Sequence, residues 1–302
     1  MKLAVAATPL VAIPTLEVLR ASRHTLDLVI TQPDRPFGRG KEMRESEVAS
    51  WARLNSIPTL KSSSSAEIIE AVSDFDCVVT VGYGVLLPQE VLEVPKHGFL
   101  NLHFSLLPRW RGAAPVQRAI EYGDNVSGVC VFRLDRGMDT GPIFVQEQVQ
   151  LNPRPDALSL FNQLSQLGAP AVLKALEQIE NGVEPVNQST EGVTHAAKIS
   201  KSEACVDWTR PAEEIDRQIR AFNAAPISWT LFRGESLRII SANIVDEVQL
   251  EPGVVQTIDS QVLVGTGSGS IILEKVIPSG KRQMSAFDWA NGARFKVGER
   301  VG

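Results

Sequence analysis

Cysteine is scarce in this chain: Cys77, Cys130 and Cys205 are the only three in 302 residues. An odd, widely spaced set suits neither a disulfide framework nor a zinc cluster. Each is expected to be a small buried hydrophobe in a reducing, cytoplasmic setting. No apolar run reaches about 18 residues, so no transmembrane helix is expected. The opening Met1-Lys2-Leu3-Ala4-Val5-Ala6-Ala7 meets Thr8-Pro9 too soon for a signal peptide and reads as a first buried strand. No G-x-G-x-x-G follows that strand, which disfavours dinucleotide binding. There is no internal repeat. A net charge of −5 offers no global attraction to nucleic acid, so any such site must be a local patch.

What is present is ordinary globular material, 43% hydrophobic and 22% charged, in a length that suits two domains. Leu3–Ala7, Leu26–Thr31 and Cys77–Val81 are short apolar runs read as buried strands, with a helical pattern from Ala12 to Ala21. Ser127–Leu134 and Pro142–Leu151 alternate like a hairpin around the Gly137–Gly141 turn. Asp156–Asn181 reads as a long amphipathic helix stopped by Asn181-Gly182. Ser62–Ser65 reads as a loop and N-cap. Strand–helix alternation implies an α/β fold with a doubly wound, Rossmann-like, largely parallel sheet over residues 1–200. The texture then changes. Pro211 opens a helix to Ala224, and short strands follow at 229–232, 237–245, 253–258, 261–265 and 270–276. Five short strands fit a small OB-like barrel over residues 206–302.

Gly98–Phe104 (GFLNLHF) alternates like a half-buried strand, so Asn101, His103 and Ser105 project to one face. Pro108 then ends ladder pairing and releases the chain into a loop. An amide, an imidazole and a hydroxyl thus converge at a strand's carboxyl end, where open α/β sheets hold ligands. Alone, His103 reads as a satisfied core histidine, Asn101 as a strand-end residue and Asp139 as a routine Asx turn between glycines. The ordered combination Asn-x-His-x-Ser-Leu-Leu-Pro with a later Asp-Thr-Gly is much harder to explain that way. His24, His97 and His195 lie in polar connections and are expected to be exposed bystanders. Gln32–Ser46 carries too many prolines, glycines and charges for regular structure, and its charge balance is only +1. Between Lys275 and Gly302, six basic residues stand against two acidic ones, a modest patch on the barrel.

The segment Asn101–Gly112 (NLHFSLLPRWRG) resembles the formyltetrahydrofolate-dependent formyltransferase family. The likeness continues in Thr31-Gln32-Pro33-Asp34-Arg35-Pro36, Gly38-Arg39-Gly40-Lys41, Met138-Asp139-Thr140-Gly141, Lys198-Ile199-Ser200-Lys201, Asp207-Trp208 and Ile219-Arg220-Ala221-Phe222-Asn223. It departs near the start, where Ala7 and Val11 replace a glycine and an aromatic. The resemblance implies an enzyme passing a formyl group from 10-formyltetrahydrofolate, without a metal, to the methionine amino group on initiator methionyl-tRNA. An amino-sugar nucleotide as acceptor, or hydrolysis of the formylfolate, remains an alternative. It implies Asn101, His103 and Asp139 as catalytic and Ser105, Leu106, Leu107, Pro108, Gly82, Tyr83 and Gly84 as folate-binding. Arg39 and Lys41 are implied as tRNA contacts of a monomer with no membrane association. The chemistry suits the trio: formyl transfer develops an oxyanion, where each preorganised donor is worth about 3 kcal/mol. An imidazole can move the amine's proton near neutral pH. In this reading Asp139 orients His103.

Overall fold

The structure is a computed structural model and describes residues 1–37, 42–245 and 247–302. The chain folds into two compact units. One takes Met1–Pro115, Val126–Gln150 and Phe161–Ala196; the other takes Val116–Asn125, Leu151–Leu160 and Ala197–Gly302.

In the first unit the strands are β1 (Lys2–Ala7), β2 (Thr25–Thr31), β3 (Arg35–Phe37), β4 (Glu42–Arg44), β5 (Thr59–Lys61), β6 (Cys77–Val81), β7 (Phe99–His103), β8 (Val126–Arg133) and β9 (Ile143–Gln150). Its helices are α1 (Ile13–Arg20), α2 (Glu47–Leu54), α3 (Ser65–Val72) and α4 (Gln89–Leu92), with α5 (Pro115–Tyr122) and α6 (Ala157–Glu180) crossing the unit boundaries. Among the described residues the main sheet runs β5-β2-β1-β6-β7-β8-β9. β5, β2, β1, β6 and β7 are parallel, whereas β8 and β9 add as an antiparallel hairpin. The chain builds outward from β1 to β2 and β5, then restarts on β1's other side with β6. That reversal opens a crevice at the strands' carboxyl ends.

The parallel strands are apolar on both faces, as a sheet covered on both sides requires. Alternate residues Ala4, Ala6, Ile30 and Val78 pack with Ile68 and Val72 of α3 and with Val91 and Leu92 of α4. Phe99 and Leu100 are fully buried on successive positions of β7; each such side chain contributes about 1.5–3 kcal/mol of burial free energy. No helix among the described residues is long and apolar enough to cross a membrane.

Two expectations change here. Part of the Gln32–Ser46 stretch is regular: β3 and β4 pair antiparallel, with Arg35 opposite Arg44 and Pro36 opposite Met43. A free two-stranded ribbon has outward edges, so Pro36 removes no central ladder bond. His24 is not exposed but buried, its Nδ1 3.4 Å from the Met1 amino group and 3.6 Å from Glu180 Oε1. Burial pushes its pKa down. Cys77 and Cys130 are buried as expected, while Cys205 is half-buried.

The second unit holds α7 (Ala212–Ala221), β10 (Trp229–Phe232), β11 (Glu235–Val245), β12 (Val255–Ile258), β13 (Gln261–Gly265), β14 (Ser270–Pro278), β15 (Met284–Ser285) and α8 (Ala286–Ala293). Among the described residues six strands form an antiparallel sheet in the order β10-β11-β14-β13-β12, with β15 on β14. Residues 299–302 then bridge the two edges. Val301 N–H donates to Gly253 O and Gly302 N–H to Leu231 O, both at 2.9 Å. The sheet thereby curls toward a barrel and protects edges that would otherwise be open to pairing. Its core joins Trp208, Ile215 and Ile219 with Val264, Ile271 and Trp289.

The closing segment is tied by Glu299, whose carboxylate accepts from Arg233 Nε at 2.6 Å and Nη2 at 2.9 Å. This contact holds the Glu299 carboxyl down at about 2. A depressed carboxyl pKa adds stability above its ordinary value of 4.5 and loses it as pH falls toward the folded value. Glu299→Gln should therefore lower Tm by about 1–2 °C at pH 7. The gap to the parent should narrow steadily between pH 4.5 and 2. Thermal scans across that range check it, and a gap that ignores pH would remove the ion pair from the explanation.

Candidate active site

Asn101 and His103 stand at the carboxyl end of β7. In the sheet register Asn101 sits beside Thr80 of β6, and His103 beside Cys130 of β8. The Thr80 hydroxyl lies 2.8 Å from Asn101 Oδ1 and 3.0 Å from Leu100 O. With Oδ1 held by this donor, the amide turns its Nδ2 away from β6. That Nδ2 has no hydrogen-bond partner among the described residues.

His103 is 6% exposed, its ring edge-on to Phe132 at a centroid distance of 6.4 Å. Its Nε2 lies 2.9 Å from the carbonyl oxygen of Trp110. A carbonyl can only accept, so Nε2 carries a proton, and in the neutral ring the lone pair is on Nδ1. Nδ1 faces Asp139 Oδ2 at 3.7 Å, too far for a direct hydrogen bond. The ring is thus oriented by the Trp110 carbonyl, and Asp139 supplies a nearby negative charge. The Asp139 carboxylate is itself fixed, accepting from the Gly112 N–H at 2.7 Å.

The loop between these residues is held by an unusual set of groups. Trp110 has φ +64°, a left-handed conformation that bulky side chains rarely adopt. Its N–H donates to Thr194 Oγ1 at 2.8 Å. The Arg109 guanidinium stacks over its indole at 4.4 Å, a cation–π contact. Gly112 has φ +122°, and a Cβ there would lie 2.7 Å from Ala196 O; no other residue allows this approach. The segment 194–196 runs alongside: Arg111 N–H donates to Thr194 O at 2.9 Å, and Ala196 N–H to Arg111 O at 2.7 Å.

The residues expected to bind folate divide into backbone supports and exposed surface. The Ser105 hydroxyl donates to Arg109 O at 2.6 Å. Leu107 is buried with Cys130 and Phe132. Its N–H donates to Cys130 Sγ at 3.3 Å, and its carbonyl accepts from Gln146 Nε2 at 3.0 Å. Both backbone groups of Leu107 are thus already engaged within the protein. Leu106 is half-buried against Gly128, and the Leu107–Pro108 peptide is cis. Pro108 O accepts from Thr194 N–H at 3.3 Å. Burial pushes the Cys130 thiol up to about 11, so it remains protonated and is no nucleophile.

Gly82 and Gly84 are exposed and left-handed, and a Cβ on Gly82 would lie 2.8 Å from Pro9 Cγ. Tyr83 between them points inward, its hydroxyl donating to Ser62 O at 2.6 Å. Burial raises that phenol to about 12. Tyr83 O accepts from Gln32 Nε2 at 2.7 Å. The tyrosine is therefore an anchor that sets the turn, and the two glycines are its accessible part. Arg39 and Lys41, the expected tRNA contacts, lie outside the described residues.

Sequence reading missed Trp110, Thr194, Gln188, Cys130 and Gln146. Trp110 acts here through its backbone, and Thr194 through its backbone and its hydroxyl, in contacts that no motif announces. The Asx turn proves to belong to Asp135, whose Oδ1 accepts from Gly137 N–H at 2.9 Å and Thr140 Oγ1 at 2.7 Å. It fixes the start of the loop that carries Asp139.

Comparison with known proteins gives the family. Residues 1–176 match the formyl transferase family and residues 198–294 the formyl transferase C-terminal domain. The chain is 43% identical to the methionyl-tRNA formyltransferase of Streptomyces coelicolor over 100% of both chains, and 40% identical to that of Thermobifida fusca over 100% of this chain and 99% of that one. In fold it is similar to HypX of Aquifex aeolicus, solved with tetrahydrofolic acid, with a TM-score of 0.70 at 17% identity over 99% of this chain and 48% of that one. Matched along nearly its whole length by both family models, the chain belongs to the formyl transferase family.

Proposed function

We propose that this chain transfers a formyl group from 10-formyltetrahydrofolate to the amino group of methionine on initiator methionyl-tRNA. The observation that carries the reading is 43% identity to a methionyl-tRNA formyltransferase over the whole of both chains. The residues at the end of β7 are chemically suited to the reaction. 10-Formyltetrahydrofolate supplies an activated one-carbon group, so transfer can be direct once donor and acceptor are held together. In this reading Asn101 Nδ2, oriented through its own Oδ1, donates to the oxyanion that develops on the formyl oxygen. His103, with Nε2–H committed to Trp110, takes the amine's proton on Nδ1. The Asp139 carboxylate 3.7 Å away stabilises the resulting imidazolium, which returns the proton to the folate nitrogen as its bond to the formyl carbon breaks. The Gly82–Gly84 turn follows β6 and Leu106 follows its neighbour β7, and both are proposed to border the folate.

An acceptor panel tests the function: initiator methionyl-tRNA, elongator methionyl-tRNA and an amino-sugar nucleotide, each with 10-formyltetrahydrofolate. Selective formylation of the initiator tRNA is expected, and transfer only to the sugar would overturn the tRNA assignment. Arg39, with glycines on both sides, is proposed to contact the tRNA backbone. Arg39→Ala should raise KM for the tRNA about tenfold, as loss of one charged contact does, with the folate KM unchanged. Equal loss toward both substrates would refute that role.

A further inference from the structure

Asp139 is held at both ends, and Gln188 grips one of them. Asp139 has φ +52°, a conformation that residues other than glycine rarely hold without help. Gln188 Nε2 donates to Asp139 O and to Gly141 O, each at 2.8 Å, straddling the peptide units around Thr140. Gln188 Oε1 accepts from Arg111 Nε at 3.0 Å and Nη2 at 2.7 Å. A guanidinium only donates and a carbonyl only accepts, so these partners fix which way the amide faces. Arg111 is in turn locked by its backbone to Thr194 and Ala196. One half-buried side chain thus ties the 135–141 loop to the loop whose Gly112 N–H holds the Asp139 carboxylate.

We propose that Gln188 is a positioning residue for formyl transfer, acting through Asp139. The proposal rests on the transferase reading above. The clamp sets the direction in which Asp139 leaves its loop, and hence the 3.7 Å separation between Oδ2 and His103 Nδ1. Displacing the charge beside a catalytic imidazole by even one ångström costs rate steeply. The donor end of the amide is the part that matters, so variants can separate the two ends. Gln188→Glu keeps an acceptor for Arg111 and loses both N–H groups. Gln188→Met keeps the length and loses both ends.

The test is a double-mutant cycle with Asp139→Asn, read by kcat, alongside amide hydrogen exchange of the 135–142 segment in the free protein. Both Gln188 variants should lower kcat about 30-fold, with KM for folate and tRNA within about twofold. In the Asp139→Asn background the same changes should cost less than about twofold, because the group they position is already disabled. Exchange in the 135–142 segment should accelerate about tenfold in each variant, whichever substrate the protein acts on. A full 30-fold loss in both backgrounds would overturn the proposal, showing a structural role independent of Asp139. So would near-parental activity of Gln188→Glu, which would place the effect on Arg111. Unchanged exchange would also overturn it. Accelerated exchange in a protein that formylates no tRNA would uphold the clamp and reject the transferase reading.

Discussion

Asp139→Asn should lower kcat for formyl transfer by about 100- to 10,000-fold, the range expected when an imidazolium loses the charge beside it, with folate and tRNA binding changed only a few-fold. The substitution is close to isosteric. Asparagine can keep an oxygen where Oδ2 accepts from the Gly112 N–H, so the loop should stand. What changes is the charge: the same oxygen faces His103 Nδ1, and in an amide it carries only a partial negative charge. The carboxylate instead offers a charge that an imidazolium can use. At 3.7 Å the attraction between unit charges is worth several kcal/mol at an effective dielectric constant near 20, enough to account for the upper part of the range. Single-turnover rates with saturating substrates measure the effect apart from binding. A parental rate in this variant would remove Asp139 from the chemistry.

Asn101→Asp should cost about 100- to 1,000-fold in kcat, as loss of one preorganised oxyanion donor does. Aspartate preserves the shape and can keep an oxygen beside Thr80, but its second oxygen brings an acceptor and a negative charge to the place where Nδ2 donates. Ground-state affinity for the folate should fall far less than the rate, because the missing interaction strengthens only as charge builds on the formyl oxygen. Parallel measurement of kcat and of tetrahydrofolate binding separates the two. Equal loss in both would make Asn101 a binding residue and leave the oxyanion without its proposed donor.

How much of this site was legible in the sequence follows from the range of the interactions. The strand carrying Asn101 and His103 was readable because alternation and a terminating proline are local. The doubly wound sheet followed from the order of apolar runs and helices. The hairpin β8–β9 followed from its turn glycines. Other features depend on partners far along the chain. His24 is buried beside Glu180, which lies 156 positions away in the chain. The barrel has a sixth strand in β15, and its edges are bridged by residues 299–302, neither of which five separate apolar segments reveal. Side-chain chemistry alone points to Asp139 as the group that orients His103. Its direct partner is instead a backbone carbonyl, presented by a left-handed tryptophan. Backbone groups carry no residue-type signal, and the Thr194, Ala196 and Gln188 contacts that hold them come from a segment with no regular element of its own.

The most direct measurement is a single turnover of the intact chain with 10-formyltetrahydrofolate labelled at the formyl carbon and with initiator methionyl-tRNA. Direct transfer supported by Asn101, His103 and Asp139 requires the label to arrive on the methionine, with none retained by the protein and none released as formate. Label appearing as formate while the methionine amine stays free would make the chain a hydrolase, and label left on the protein would replace direct transfer with a covalent route.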